Sequence, residues 1–131
     1  QRLVAGAVIR KEGAAILLDA ATAEAARVLL PPGQARVRRV AVVRPYGCDT
    51  PLEVSELLPP QAELPELTDH DIAMYEAALT ALHASDWQLA FQLLHQVTAD
   101  DRVKDFLTVF IAERNRTPPA GWDGVIPLVS K

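Results

Sequence analysis

The chain has 131 residues, half of them hydrophobic and 23% charged. That is enough apolar matter for one packed domain, or a small domain with an appendage, and it excludes disorder along the whole length. A formal net charge of -4 argues against a general nucleic-acid binder, and no apolar run reaches the length of a membrane span.

Cys48 is the single cysteine, so an internal disulfide is excluded and a reducing, cytoplasmic setting is expected. Residue 1 is Gln and no signal peptide precedes it, so the chain is expected to be a piece of something longer. Charge is unevenly spread. Residues 1–50 hold eight Lys/Arg and four Asp/Glu, whereas residues 51–131 hold five and thirteen. Two solvated surfaces of opposite sign account for this; the alternative is that the halves face different partners, or each other.

Residues 3–9, LVAGAVI, are apolar and are expected to end a helix packed on a sheet. Residues 14–18 form a short apolar run closed by Asp19 and read as a buried strand. Asp19 or Thr22 then caps an alanine-rich helix over 20–30, which Pro31, Pro32 and Gly33 stop. Residues 37–43, VRRVAVV, form a strand by β-branched propensity. Pro45, Gly47, Asp49 and Pro51 make a turn, and residues 52–57 alternate with period two, so they form a second strand with one face buried. The two strands pair as an antiparallel hairpin with a loop longer than two residues.

Residues 59–68 hold prolines at 59, 60 and 65 and no periodicity, and are expected to be a linker. It separates a strand-rich part, residues 1–58, from a helical extension, residues 69–131. Thr68 and Asp71 stand at capping-box spacing before a stripe of Ile72, Tyr75, Leu79 and Leu82. Ser85 and Asp86 repeat the start signal, with Leu89, Ala90, Leu93, Leu94 and Val97 as the stripe. Asp100 or Asp101 starts a third helix whose stripe is Val103, Phe106, Leu107, Phe110 and Ile111. In the tail, Trp122 sits between Gly121 and Asp123-Gly124 ahead of a short β-like run. It is expected to anchor the tail near Phe106 and Phe110, or near Tyr75 and Leu79.

No self-contained active site emerges. The six glycines are scattered, and no phosphate-cradling loop is present. His70, His83 and His95 lack the i,i+4 pairing of a helical metal site and read as helix-surface residues. Ser55, Ser85 and Ser130 lack a nucleophile-elbow context. Asp100 and Asp101 form an acidic pair that a helix N-terminus explains without a metal. Arg36, Arg38, Arg39 and Arg44 mark a basic strand, expected as an exposed edge, with phosphate contact as the alternative.

A family resemblance supplies a functional expectation. Residues 40–60, VAVVRPYGCDTPLEVSELLPP, resemble the closing hairpin of class III adenylate/guanylate cyclase domains. That family ends on a strand, a turn around Lys/Arg-x-x-Gly, a proline and a strand reading roughly V-x-E-L. The run Ile16-Leu17-Leu18-Asp19-Ala20-Ala21-Thr22 is similar to the family's strand-then-helix segment I-L-[IV]-S-x-x-T. The helices around Tyr75 and Trp87, and Trp122-Asp123-Gly124-Val125, resemble the C-terminal extension of some bacterial members. The helix pair also resembles a tetratricopeptide unit, though without a second repeat.

The resemblance implies an α+β fold. It would be a partial cyclase-type, ferredoxin-like strand-helix-strand-strand unit, followed by a TPR-like helical hairpin and a short C-terminal strand. It implies conversion of a nucleoside triphosphate to a cyclic 3′,5′-monophosphate and pyrophosphate, most naturally cyclic AMP, in bacterial signal transduction. Two aspartates would hold magnesium or manganese, and an Asn and an Arg on one helix would stabilise the transition state. No segment here matches the metal aspartates, so this chain alone is expected to be inactive and to hold no cofactor. Arg2 is the one candidate for the transition-state Arg. The implied partners are the rest of the cyclase domain and a second copy in a head-to-tail homodimer, without nucleic acid or membrane contact by this segment. The parent's upstream segments are compatible with a membrane anchor. The other reading is a non-enzymatic interaction or regulatory module built on the helix pair.

Overall fold

The computed structural model describes residues 2–4, 7–9, 15–31 and 33–128, the first two segments as backbone only. The fold is α+β, and the described residues form four helices and one sheet. The chain divides into two compact units, residues 1–63 with 126–131, and residues 64–125.

The first unit contains β1 (Arg2–Val4), β2 (Ala7–Ile9), β3 (Ile16–Leu18), α1 (Ala20–Leu29), β4 (Arg36–Arg44) and β5 (Leu52–Leu58). A last strand, β6 (Val125–Pro127), completes a sheet of order β1-β2-β3-β5-β4-β6. Residues 3–4 and 7–9 lie in strands and not at the end of a helix. They contribute two short antiparallel strands with Leu3 opposite Val8, and β2 pairs in turn with β3. Val4, Val8 and Ile9 are β-branched, and the free edge of β3 offers them a partner, so strand pairing wins over helix.

The strand, helix, strand, strand order expected from residue 14 onward is present as β3, α1, β4 and β5. Asp19 is the N-cap of α1, accepting from the Thr22 amide at 2.8 Å. The helix stops at Leu30, which is extended (φ -96°, ψ 127°), as the residue before a proline must be. In the β4–β5 hairpin, Arg38 lies opposite Glu56 and Arg39 opposite Ser55, and the register then slips between Arg39 and Ala41. Val40 is the extra residue of that bulge. The connecting loop turns where the Cys48 amide donates to the Pro45 carbonyl and Gly47 takes φ +80°, a conformation a side chain resists. Beyond β4 the Leu128 amide donates to the Arg44 carbonyl. β4 is therefore an interior strand, flanked by β5 and β6, and the expectation of an exposed basic edge fails.

The second unit holds α2 (Asp69–His83), α3 (Trp87–Leu94) and α4 (Arg102–Ala112). Each start matches a capping residue. Thr68 and Asp71 form a reciprocal capping box, Asp86 accepts from the Leu89 amide, and Asp101 accepts from the Val103 amide. Tyr75, Leu79 and Leu82 from α2 and Leu107, Phe110 and Ile111 from α4 are buried, as their spacing implies. In α3 the buried set is Trp87, Ala90 and Leu94, with Val97 just beyond, while Leu89 is 42% exposed. The stripe is rotated because Trp87, the largest fully buried side chain, gains most by facing inward.

Candidate functional site

The first feature that chemistry could use is a buried ion pair. Arg38 sits on β4 and Glu56 on β5, directly opposite each other in the register. The Arg38 side chain is fully buried and that of Glu56 nearly so. Arg38 Nε donates to Glu56 Oε1 at 3.0 Å, and Nη2 donates to the same oxygen. Removing two charges from water is costly, and their attraction offsets it only in well-made geometry such as this. Beside it, Arg36 Nε donates to the Pro59 carbonyl at 2.7 Å. Phosphate contact by Arg38 is ruled out by its burial. Arg38 was expected on an exposed basic edge and Glu56 only as a strand residue; their pairing was not anticipated. β5 carries Glu53, Ser55 and Glu56 among its apolar residues, so only the hairpin register, which sets Glu56 against Arg38, distinguishes the pair.

The second feature is an aromatic cluster in the helical unit. Trp122 stands edge-on to Trp87, with ring centroids 5.1 Å apart, and 5.9 Å from Phe110. Trp87 is itself 5.5 Å from Phe110. The Trp122 indole N–H donates to the Leu82 carbonyl at 2.7 Å, near the C-terminal end of α2, where carbonyls lack helical partners. Arg114 lies over the Phe110 ring at 4.0 Å, within cation–π range. The tail is thus anchored on the helices, with Phe110 the anticipated neighbour. Trp87 was the unanticipated one, and Phe106 instead points outward at 39% exposure. Gly124 adopts φ +87°, and a Cβ there would lie 3.3 Å from His83 Cδ2. Only glycine lets the tail pass this ring.

The third feature is Asp71. Its Oδ2 accepts from the Thr68 amide and hydroxyl, each at 2.9 Å, and its Oδ1 accepts from the Thr98 amide at 3.1 Å. Burial opposes the charged form, but these hydrogen bonds, with help from His70, outweigh it and hold the carboxyl below its ordinary value. One carboxylate therefore caps α2 and fastens the loop between α3 and α4. Lys104 supports the same region, its ammonium donating to the Val97 carbonyl at 2.8 Å.

The other candidates fall apart spatially. Arg2 lies in β1, and its side chain is outside the described residues; Ser130 is outside them altogether. His70 and His95 are exposed on the helical unit, with His95 Nδ1 at 2.8 Å from the Phe91 carbonyl. Cys48 is exposed in the β4–β5 loop. Asp101 caps α4, while Asp100 is exposed. Among the described residues no three His, Cys, Asp or Glu side chains converge to hold a metal ion. No described helix is long and apolar enough to cross a membrane. No protein-family model, curated protein or solved structure matches the chain.

Proposed function

We propose that this chain is the C-terminal part of a bacterial class III nucleotide cyclase, carrying the end of the catalytic fold and a helical extension. What carries the reading is the placement of the two segments that resemble the family. Residues 16–22 supply β3 and the start of α1, and residues 40–60 supply most of β4 and all of β5. These strands are neighbours in one sheet, with β5 between β3 and β4, and α1 packs against all three. Two separately noticed likenesses thus belong to one strand-helix-strand-strand unit. The intervening turn has Gly47 at the Arg44-x-x-Gly47 position with positive φ, which gives the family's glycine a physical reason.

In this reading the chain is a scaffold within the enzyme. The buried Arg38–Glu56 pair fixes the register of the closing hairpin. Magnesium or manganese would be held by aspartates of the parent, since no segment of this chain resembles the family's metal-binding pair. The family's transition-state Arg lies on a helix, whereas Arg2 lies in β1, so Arg2 is not assigned that role. The intact gene product is expected to carry two aspartates at cyclase spacing before residue 1. It is expected to form a cyclic nucleotide from ATP or GTP with manganese, and to lose that activity when residues 16–58 are deleted. An upstream sequence without those aspartates, or an intact product with no such activity, rejects the reading.

A second reading rests on a different observation. The helical unit forms a compact body of its own, and Leu89, Phe106 and Val109 on α3 and α4 are exposed. These suit a TPR-like module that docks another protein. Such a module would capture a partner equally well in a parent lacking the aspartates.

A further inference from the structure

The helix α1 carries its apolar side chains on the wrong side. Of its ten residues only Ala23 is buried. Ala21, Ala25, Val28 and Leu29 recur along the opposite face and are all exposed. Val28 and Leu29 are 72% and 75% exposed, above every other large apolar side chain described, and Leu30 extends the patch at 37%. An amphipathic helix on a sheet turns such residues inward. Here the small face meets the sheet and the larger one meets solvent.

We propose that a second copy of this chain covers this face, with the two α1 helices antiparallel about a two-fold axis near Ala25. An isologous contact requires a face complementary to itself, and this one is. Ala25 meets its own counterpart at the axis, where a larger residue would hold the helices apart. Leu29 of each copy lies over Ala21 of the other, large against small. Glu24 and Arg27 lie on the same flank of the stripe and form an ion pair within the helix at 3.8 Å. Antiparallel packing brings like flanks together, so Glu24 of each copy comes beside Arg27 of the other, twice per dimer. A parallel two-fold arrangement would instead set this flank beside the partner's opposite one and leave these charges apart. One helix face is much smaller than the roughly 800 Å² per partner of standard interfaces, so the dimer is weak and reversible. This inference does not rest on the cyclase reading, which implies a head-to-tail pairing.

Sedimentation velocity of the full chain from low micromolar to millimolar concentration tests it. A monomer–dimer equilibrium is expected. Ala25→Glu and Leu29→Lys, each checked for unchanged helical circular dichroism, are expected to leave only monomer. Glu24→Arg is expected to weaken the dimer about tenfold, and the double variant Glu24→Arg/Arg27→Glu is expected to restore it. A monomer at every concentration overturns the proposal. If 1-anilinonaphthalene-8-sulfonate then binds the wild type but not Leu29→Lys, the face belongs to another occupant. A dimer that Ala25→Glu and Leu29→Lys leave intact, or that the double charge reversal does not restore, overturns it as well.

Discussion

Trp122 is half-buried, yet it makes an indole–carbonyl hydrogen bond of 2.7 Å and touches two aromatic rings. Trp122→Ala should therefore destabilise the helical unit by about 2–3 kcal/mol, below the cost of a fully buried tryptophan. Trp122→Phe, which keeps ring contact and loses the donor, should cost about 1 kcal/mol. Urea unfolding followed by far-ultraviolet circular dichroism reads both, because its midpoint follows the loss of helix and not the fluorescence of the indole being removed. Asp71 gives a pH prediction. Its carboxyl is held below the ordinary value in the folded state. The stability it contributes is thus fully present above the unfolded value of about 3.9 and is lost as pH falls through the lower folded value. The urea midpoint of the helical unit should fall below about pH 4, and Asp71→Asn should flatten that part of the profile. At neutral pH Asp71→Asn should cost about 1–2 kcal/mol. An unchanged acid limb in Asp71→Asn would show that other carboxylates govern it.

At the scale of elements, the β4–β5 hairpin depends on one buried pair to choose its register. Slipping the strands by one residue would turn Arg38 and Glu56 to opposite faces and leave two buried charges unmatched. Glu56→Ala should accordingly cost about 3–5 kcal/mol, because it strands the Arg38 guanidinium. Arg38→Met combined with Glu56→Leu should recover most of that loss, since well-packed apolar residues avoid the desolvation penalty. A double-mutant cycle by chemical denaturation measures the coupling, and additive losses would show that the pair does not act as a unit. The bulge at Val40 lets β4 keep this pair in register while Ala41 and Val43 remain buried further along.

At the scale of the whole chain, the cyclase reading makes a direct expectation. Purified protein incubated with ATP or GTP and manganese should form no cyclic nucleotide. Without metal-bound aspartates the charge developing on the phosphates is uncompensated, and several kcal/mol of transition-state stabilisation are lost. Turnover that follows the protein through purification would place a metal site within these residues. The division of labour between the units is consistent with their charge. The sequence up to residue 50 is basic and the remainder acidic, and the acidic part supplies the helix caps Thr68–Asp71, Asp86 and Asp101.

Local signals carried far along this chain. Asp19, Thr68, Asp86 and Asp101 announce helix starts because a side-chain oxygen satisfies an amide only two or three residues away. Pro31 ends α1 by a clash with its neighbour. Residues 52–57 do form a strand, but the buried face does not follow the apolar alternation: Leu52 is exposed while Ser55 and Glu56 are buried. Pairings between distant segments were not legible in this way. Whether residues 3–9 become helix or strand depends on the edge that β3 presents, and whether β4 is an edge depends on residues 125–128 returning to it. Arg38 reads as a surface arginine until the register places Glu56 opposite. Trp87 reads as part of a helix start until Phe110 and Trp122 close around it. A cap is decided within one turn of backbone, whereas burial is decided by whatever the rest of the chain brings alongside.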